Sequence, residues 1–264
     1  MNIAGLIGQG GLGGWAVLQR TAPKQKELLA ASGQVQANSA YFRAKIGKVT
    51  SAQDLVSDYR LLDVALKAHG LEADQQNRAF IRKVLEGGTE DKSLASRLSN
   101  KAYARLAETF GLANGEARPK FDDKFATRIL QQYVEREFEI RVGEGDQNMR
   151  LALNAQRELA ALAEKSGSAR TKWFEILGSP PLRKVFEAAF GFNAQTYGRL
   201  PIDRQQAEFA KAAQKLFGSD DPKLFAEPAA REQLIRRFLT RAQIAEFAPT
   251  NRFSTALALL RPGG

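Results

Sequence analysis

The stretch FDDKFATRILQQYVEREFEIRVGEGDQNMRLALNAQRELAALAEK, residues 121–165, decides the fold. Phe121, Phe125 and Ile129 recur at four-residue steps, and so do Leu130, Val134 and Phe138. Two neighbouring rows of this kind make one broad apolar face on an α-helix. After Gly143-Glu144-Gly145 a second apolar set follows, with Met149, Leu153 and Ala160 beside Leu151, Leu159 and Leu162. The stretch reads as one very long helix, or as two helices joined at those glycines. Either way it forms a spine between two groups of shorter helices.

Working outward, the same punctuation repeats on both sides. Ser51 with Asp54 three residues on is a helix start, and Leu55, Tyr59, Leu62 and Leu66 make a stripe that ends at His69-Gly70. A helix is expected from about Asp74 to Glu86, closed by Gly87-Gly88. Short helices begin at Thr89 to Asp91 and at Ser99, the latter closed by Gly111. Beyond the spine, Ser179-Pro180 starts a helix ended by Gly191, because a first-turn proline forfeits no helical hydrogen bond. Asp203 to Phe217 is helical, Asp221-Pro222 caps again, and Leu234, Ile235, Phe238 and Leu239 form the last strong stripe. Val and Ile are sparse, alternation is rare and nearly every apolar set fits a helical period, so the fold class is all-α.

The organisation expected is a flexible glycine-rich leader at 1–22 and an N-terminal helical half at 23–120. The central long helix at 121–165, a C-terminal helical half at 166–248 and a tail at 249–264 complete it. Trp15 in the leader would order on a partner. GGTEDKSLA (87–95) and FGSDDPKLF (217–225) look weakly repeated, through duplication or through shared stop-and-start chemistry.

Composition bounds the function. With 264 residues, 44 % hydrophobic and 26 % charged, the chain can bury a sizeable core. No cysteine is present, which removes disulfides, thiolate metal sites and thiol nucleophiles. No apolar run reaches the ~18 residues of a membrane span, and the first residues lack a basic leader with a cleavage pattern. The expected location is the cytoplasm, with export lacking a cleaved signal left open. The net charge of +10 sits at the ends: residues 1–50 hold six Lys/Arg against one acid, and residues 223–264 hold seven against three. Such ends suit an acidic partner.

No residues assemble into a recognisable catalytic, cofactor or metal site, so we expect no enzyme. Gly8-Gln9-Gly10-Gly11-Leu12-Gly13 matches the GxGxxG pattern, but that mechanism needs a βαβ unit and no second strand follows. His69 is the only histidine, at a helix C-terminus where a cation is favoured; alone and without cysteine it builds no metal site, so it reads as structural or solvated. The carboxylates Asp122-Asp123 diverge on a helix, Glu137 with Arg141 makes an exposed four-residue pair, and Asp220-Asp221 serves as a cap. The weak candidates for binding nucleic acid or an acidic protein are Arg231, Arg236, Arg237 and Arg241, with Arg43, Lys45 and Lys48. A solvated helix face or partner surface is the better reading of these, and a second copy of the chain remains open as a partner.

The blocks YRLLDVALKAHGL (59–71), FIRKVLEGGTEDKSLASRL (80–98), YVEREFEIRVGEGDQNMRLAL (133–153), LGSPPLRKVFEAAFGF (177–192) and LIRRFL (234–239) stand in this order. Together they resemble the bacterial family known as domain of unknown function 1217, over roughly residues 40–245. The resemblance implies a multihelical fold and, since such genes are often found among flagellar genes, a role around the flagellum. It brings no catalytic or binding residues with it. The function expected is a non-enzymatic helical interaction or structural protein, with regulatory or nucleic-acid binding through the basic ends as the alternative.

Overall fold

The computed structural model describes residues 10–114 and 120–247. Among them are fourteen α-helices and no strand. The N-terminal group is α1 (Gly11–Ala30), α2 (Gly33–Lys45), α3 (Ala52–Ser57), α4 (Tyr59–His69), α5 (Arg78–Glu86), α6 (Leu94–Arg97) and α7 (Ala102–Phe110). The spine is α8 (Asp123–Gly145) and α9 (Gln147–Glu164). The C-terminal group is α10 (Ala169–Leu177), α11 (Pro180–Phe190), α12 (Ala194–Tyr197), α13 (Ile202–Phe217) and α14 (Pro228–Phe247). The fold is all-α, as the periodicities require.

The spine is two helices. α8 runs through both glycines and stops at Asp146, whose carboxylate accepts from the N–H groups of Asn148 and Met149 and so caps α9. Ion pairs run from Glu139 to Arg157 and from Arg136 to Glu158, so α9 folds back antiparallel along α8. Gly143 lies close under Arg150 of α9: a β-carbon there would lie 2.6 Å from Arg150 Cδ.

Helix ends follow local chemistry. Ser51 accepts from the Asp54 N–H, Asp122 from Phe125 and Asp58 from Arg60 and Leu61. Gly70 and Gly191 end α4 and α11 in the left-handed conformation, at φ +73° and +77°. The two weakly repeated fragments do different jobs. Asp221 caps a 3-10 turn (Pro222–Ala226), whereas α6 is capped by Ser93 and not by Asp91, the counterpart of Asp221.

The expectation of a flexible leader fails for residues 11–22, which belong to the twenty-residue helix α1. Glycine content misled because burial outweighs propensity: Trp15 and Leu18 are 2 % and 0 % exposed. Trp15 is therefore a core residue and not a free anchor for a partner, and its Nε1–H donates to Glu232 Oε2 on α14 at 3.0 Å. Residues 1–9 and the tail 249–264 lie outside the described residues. One apolar cluster extends from Trp15 to Leu239, so both helix groups share a core across the spine. Within it, Phe110, Phe121 and Phe125 gather at the start of α8, and Trp173, Phe186, Phe209 and Phe225 gather in the C-terminal group.

Candidate functional site

The basic residues singled out in the sequence are not brought together. Arg43 on α2 pairs with Asp123 and donates to Thr127 Oγ1 at 3.1 Å, beside the first turn of α8. Lys45 and Lys48 are exposed nearby. The second set lies on α14, which packs on α9, α11 and α1; there Gly11 faces Gln243, and Gly10 faces Asp146 at the far end of α8. A helix of this length spans ~34 Å, at ~1.5 Å per residue. Within the α14 set, Arg231 is committed to structure, its Nη1 donating to the carbonyls of Phe225 and Ala226 at 2.6 and 2.5 Å. Arg241 packs against Gly191.

Arg236, Arg237 and Arg241 do line one feature, an open groove along α14 that reaches Leu12 at the start of α1. Ile244 projects there with 63 % of its surface exposed. The Nε–H of Arg237 is buried without an acceptor among the described residues. Of the GxGxxG pattern, Gly10 precedes α1 and Gly11 to Gly13 lie in its first turn, Gly8 and Gln9 lie outside the described residues, and among the described residues no strand adjoins it.

A second feature was not foreseen: a charged centre where α7, α8 and α9 meet. Arg136 Nη2 donates to Glu158 at 2.7 Å and Nη1 to Glu139 at 3.3 Å. Arg157 donates to Glu139 at 2.7 Å and to Glu158 at 2.6 Å. Hydrogen bonding orients the Asn154 amide so that its oxygen accepts from Arg136 at 2.7 Å and Arg157 at 3.0 Å. Burial pushes the Glu158 carboxyl up, but Arg157, Arg105 and Arg136 outweigh it and bring it down to about 2. Burial lowers the Arg136 guanidinium, and Arg157 adds to this. Arg105, Arg136, Arg157 and Glu158 line a cleft of about 390 Å³ together with His69, Gln132 and Leu182, while Glu139 and Asn154 lie behind them.

His69 is structural, one of its two readings from the sequence. It is not a cation at a helix end but a buried neutral ring, its Nδ1–H on the Ala65 carbonyl at 2.8 Å and its face tilted against Phe110. Burial lowers it to about 4, and the charges of Arg105, Arg136 and Arg128 act in the same direction. Glu137 corrects an expectation. Its pair with Arg141 is not on an exposed face, because Glu137 is buried and also meets Lys67 at 3.2 Å. Glu135, Glu137 and Glu139 thus reach three different sets of partners and make no shared acidic site.

A model of the family described as "Protein of unknown function (DUF1217)" matches residues 68–225. The chain belongs to that family. A crystal structure of protein AGR_C_984 from Agrobacterium tumefaciens is similar, with 24 % identity and a TM-score of 0.71, over 93 % of this chain and 96 % of that one. At that identity the likeness shows the fold. Comparison with curated proteins gave no match. The DUF1217 match contains the whole charged centre, whereas α14 and α1 lie outside it. No helix among the described residues is long and apolar enough to cross a membrane.

Proposed function

We propose that this DUF1217 chain is a non-enzymatic helical interaction protein that docks an acidic amphipathic helix of a protein partner in the α14–α1 groove. The observation that carries the reading is one juxtaposition: Ile244 and Leu12 present apolar surface beside Arg236, Arg237 and Arg241. Apolar anchors flanked by guanidiniums suit a helix with an apolar stripe and acidic edges.

The carboxylates of the charged centre support a non-enzymatic role. Each is held by guanidiniums, and a group at about 2 is a poor proton acceptor near neutral pH. The separation of the two basic sets, and the commitment of Arg231 and Arg43, count against a continuous nucleic-acid surface. The flagellar setting rests on the family resemblance.

The test is capture from flagellated cells with wild-type and Arg236→Glu baits, followed by titration of the purified partner. The expected partner is a flagellar component with an acidic helix, held by the wild type and released by the charge reversal. Equal binding of both baits would remove the groove, and a partner unconnected with the flagellum would remove that setting. Retardation of DNA at low salt, lost steeply as salt rises, would favour the nucleic-acid alternative.

A further inference from the structure

The charged centre is not balanced. Arg105, Arg136 and Arg157 face two carboxylates, Glu139 and Glu158. The other acids on the rim are engaged elsewhere, Glu135 by Lys26 at 2.6 Å and Glu175 by Lys165 at 2.7 Å. Asn154 contributes an oxygen without charge. One positive charge is left over in a half-enclosed site, where an unmatched charge is costly.

The surplus is located at Arg105. Arg136 and Arg157 each make close hydrogen bonds to carboxylates, while Arg105 approaches Glu158 only at 3.8 Å, past hydrogen-bond range. Its side chain is 35 % exposed and lines the cleft. Its guanidinium fork matches the two oxygens of a carboxylate. The neutral state of His69 fits the same excess of positive charge, since Arg105 and Arg136 both bear on that ring.

Where the charges end the cleft has a polar side, Thr109, Gln131, Gln132 and Ser179, and an apolar one. Ala68, Leu162 and Leu182 line the apolar side, and the cleft volume falls in the range of roughly 300–1,000 Å³ usual for small-molecule sites. We propose that this cleft binds a small organic monocarboxylate, its carboxylate on Arg105 and its apolar body against Ala68, Leu162 and Leu182. A single negative charge cancels the surplus. A dianion such as phosphate overshoots it beside Glu158 and has no apolar body to bury. The cleft shares no lining residue with the α14 groove, so it stands whether or not the docking reading does.

Calorimetric titration of the full chain with benzoate tests it, with inorganic phosphate and benzylammonium as controls. Saturable benzoate binding is expected, with neither control competing. Arg105→Gln should weaken it roughly tenfold, the loss of one charged hydrogen bond. Ala161→Phe, at an exposed position on the lip of the cleft, should block it while leaving all charges in place. Thermal unfolding of both variants shows whether they fold as the wild type does. No saturable benzoate heat, benzoate affinity unchanged in folded Arg105→Gln, or phosphate bound as tightly as benzoate would each overturn the proposal.

Discussion

Trp15 and Glu232 are 217 residues apart in sequence and joined by a 3.0 Å hydrogen bond, so the first described helix is fastened to the last. The indole is buried among core side chains, and its N–H reaches the one oxygen that satisfies it. Trp15→Ala should cost about 3–5 kcal/mol, the usual loss for a deleted aromatic. Glu232→Ala removes only the acceptor and should cost about 1–3 kcal/mol. Urea unfolding of the two variants checks the order. A Trp15→Ala protein as stable as the wild type would mean that α1 contributes nothing to the shared core.

His69 should make the protein acid-sensitive. Its ring sits at about 4 when folded, against an ordinary 6.5. Between those values the unfolded chain takes up a proton that the folded chain refuses. Stability is therefore full above about pH 6.5 and falls as pH drops toward 4, by up to about 3 kcal/mol. Glu158, held at about 2 against 4.5, adds a second loss between those lower values. In His69→Leu the fall between pH 6.5 and 4.5 should flatten while the lower one persists. Urea midpoints over a pH series would show this, and an unchanged profile in the variant would assign the acid sensitivity to other groups.

Gly143 offers a test of the hairpin. Alanine is the better helix former by about 1 kcal/mol, so an isolated helix would gain from Gly143→Ala. Here the new β-carbon would lie 2.6 Å from Arg150 Cδ and 3.1 Å from its Cβ. Arg150 is also tied to Glu72, which limits its retreat. Overpacking of this kind costs about 1–3 kcal/mol and should win. In an Arg150→Ala background the penalty should shrink, because the nearest atom is gone. Additive effects in the double variant would show that the two positions do not meet.

What was legible in the sequence was local. The period of Phe125 to Phe138 gave the face of α8, with Phe121 just ahead of its cap, and Ser51, Gly70 and Gly191 marked ends that the structure confirms. What was not legible depends on partners brought from afar. Glu137 and Arg141 are four apart and read as a surface pair; Lys67, from α4, turns that pair into a buried one. Arg105, Arg136, Arg157 and Glu158 are unremarkable singly, and only the antiparallel return of α9 makes a cleft of them. Periodicity says which face of a helix is buried, not which charges from other helices will meet it.

Lys172 carries the same lesson to its limit, since no sequence rule places a lysine at 0 % exposure. Its Nζ donates to the carbonyls of Leu162, Ala163 and Lys165 at 3.0, 3.1 and 2.6 Å. Those oxygens belong to the end of α9 and the residue that follows it, where carbonyls lack intrahelical donors and the helix dipole favours a cation. A side chain from α10 thus closes the spine helix, and all three ammonium protons are used. Lys172→Met keeps the length of the stem and removes the donors, leaving buried carbonyls unmet. It should cost about 2–4 kcal/mol and speed amide exchange in the last turn of α9. If Lys172→Met were as stable as the wild type, with exchange unchanged there, the lysine would be tolerated by the core and would not be what ends the helix.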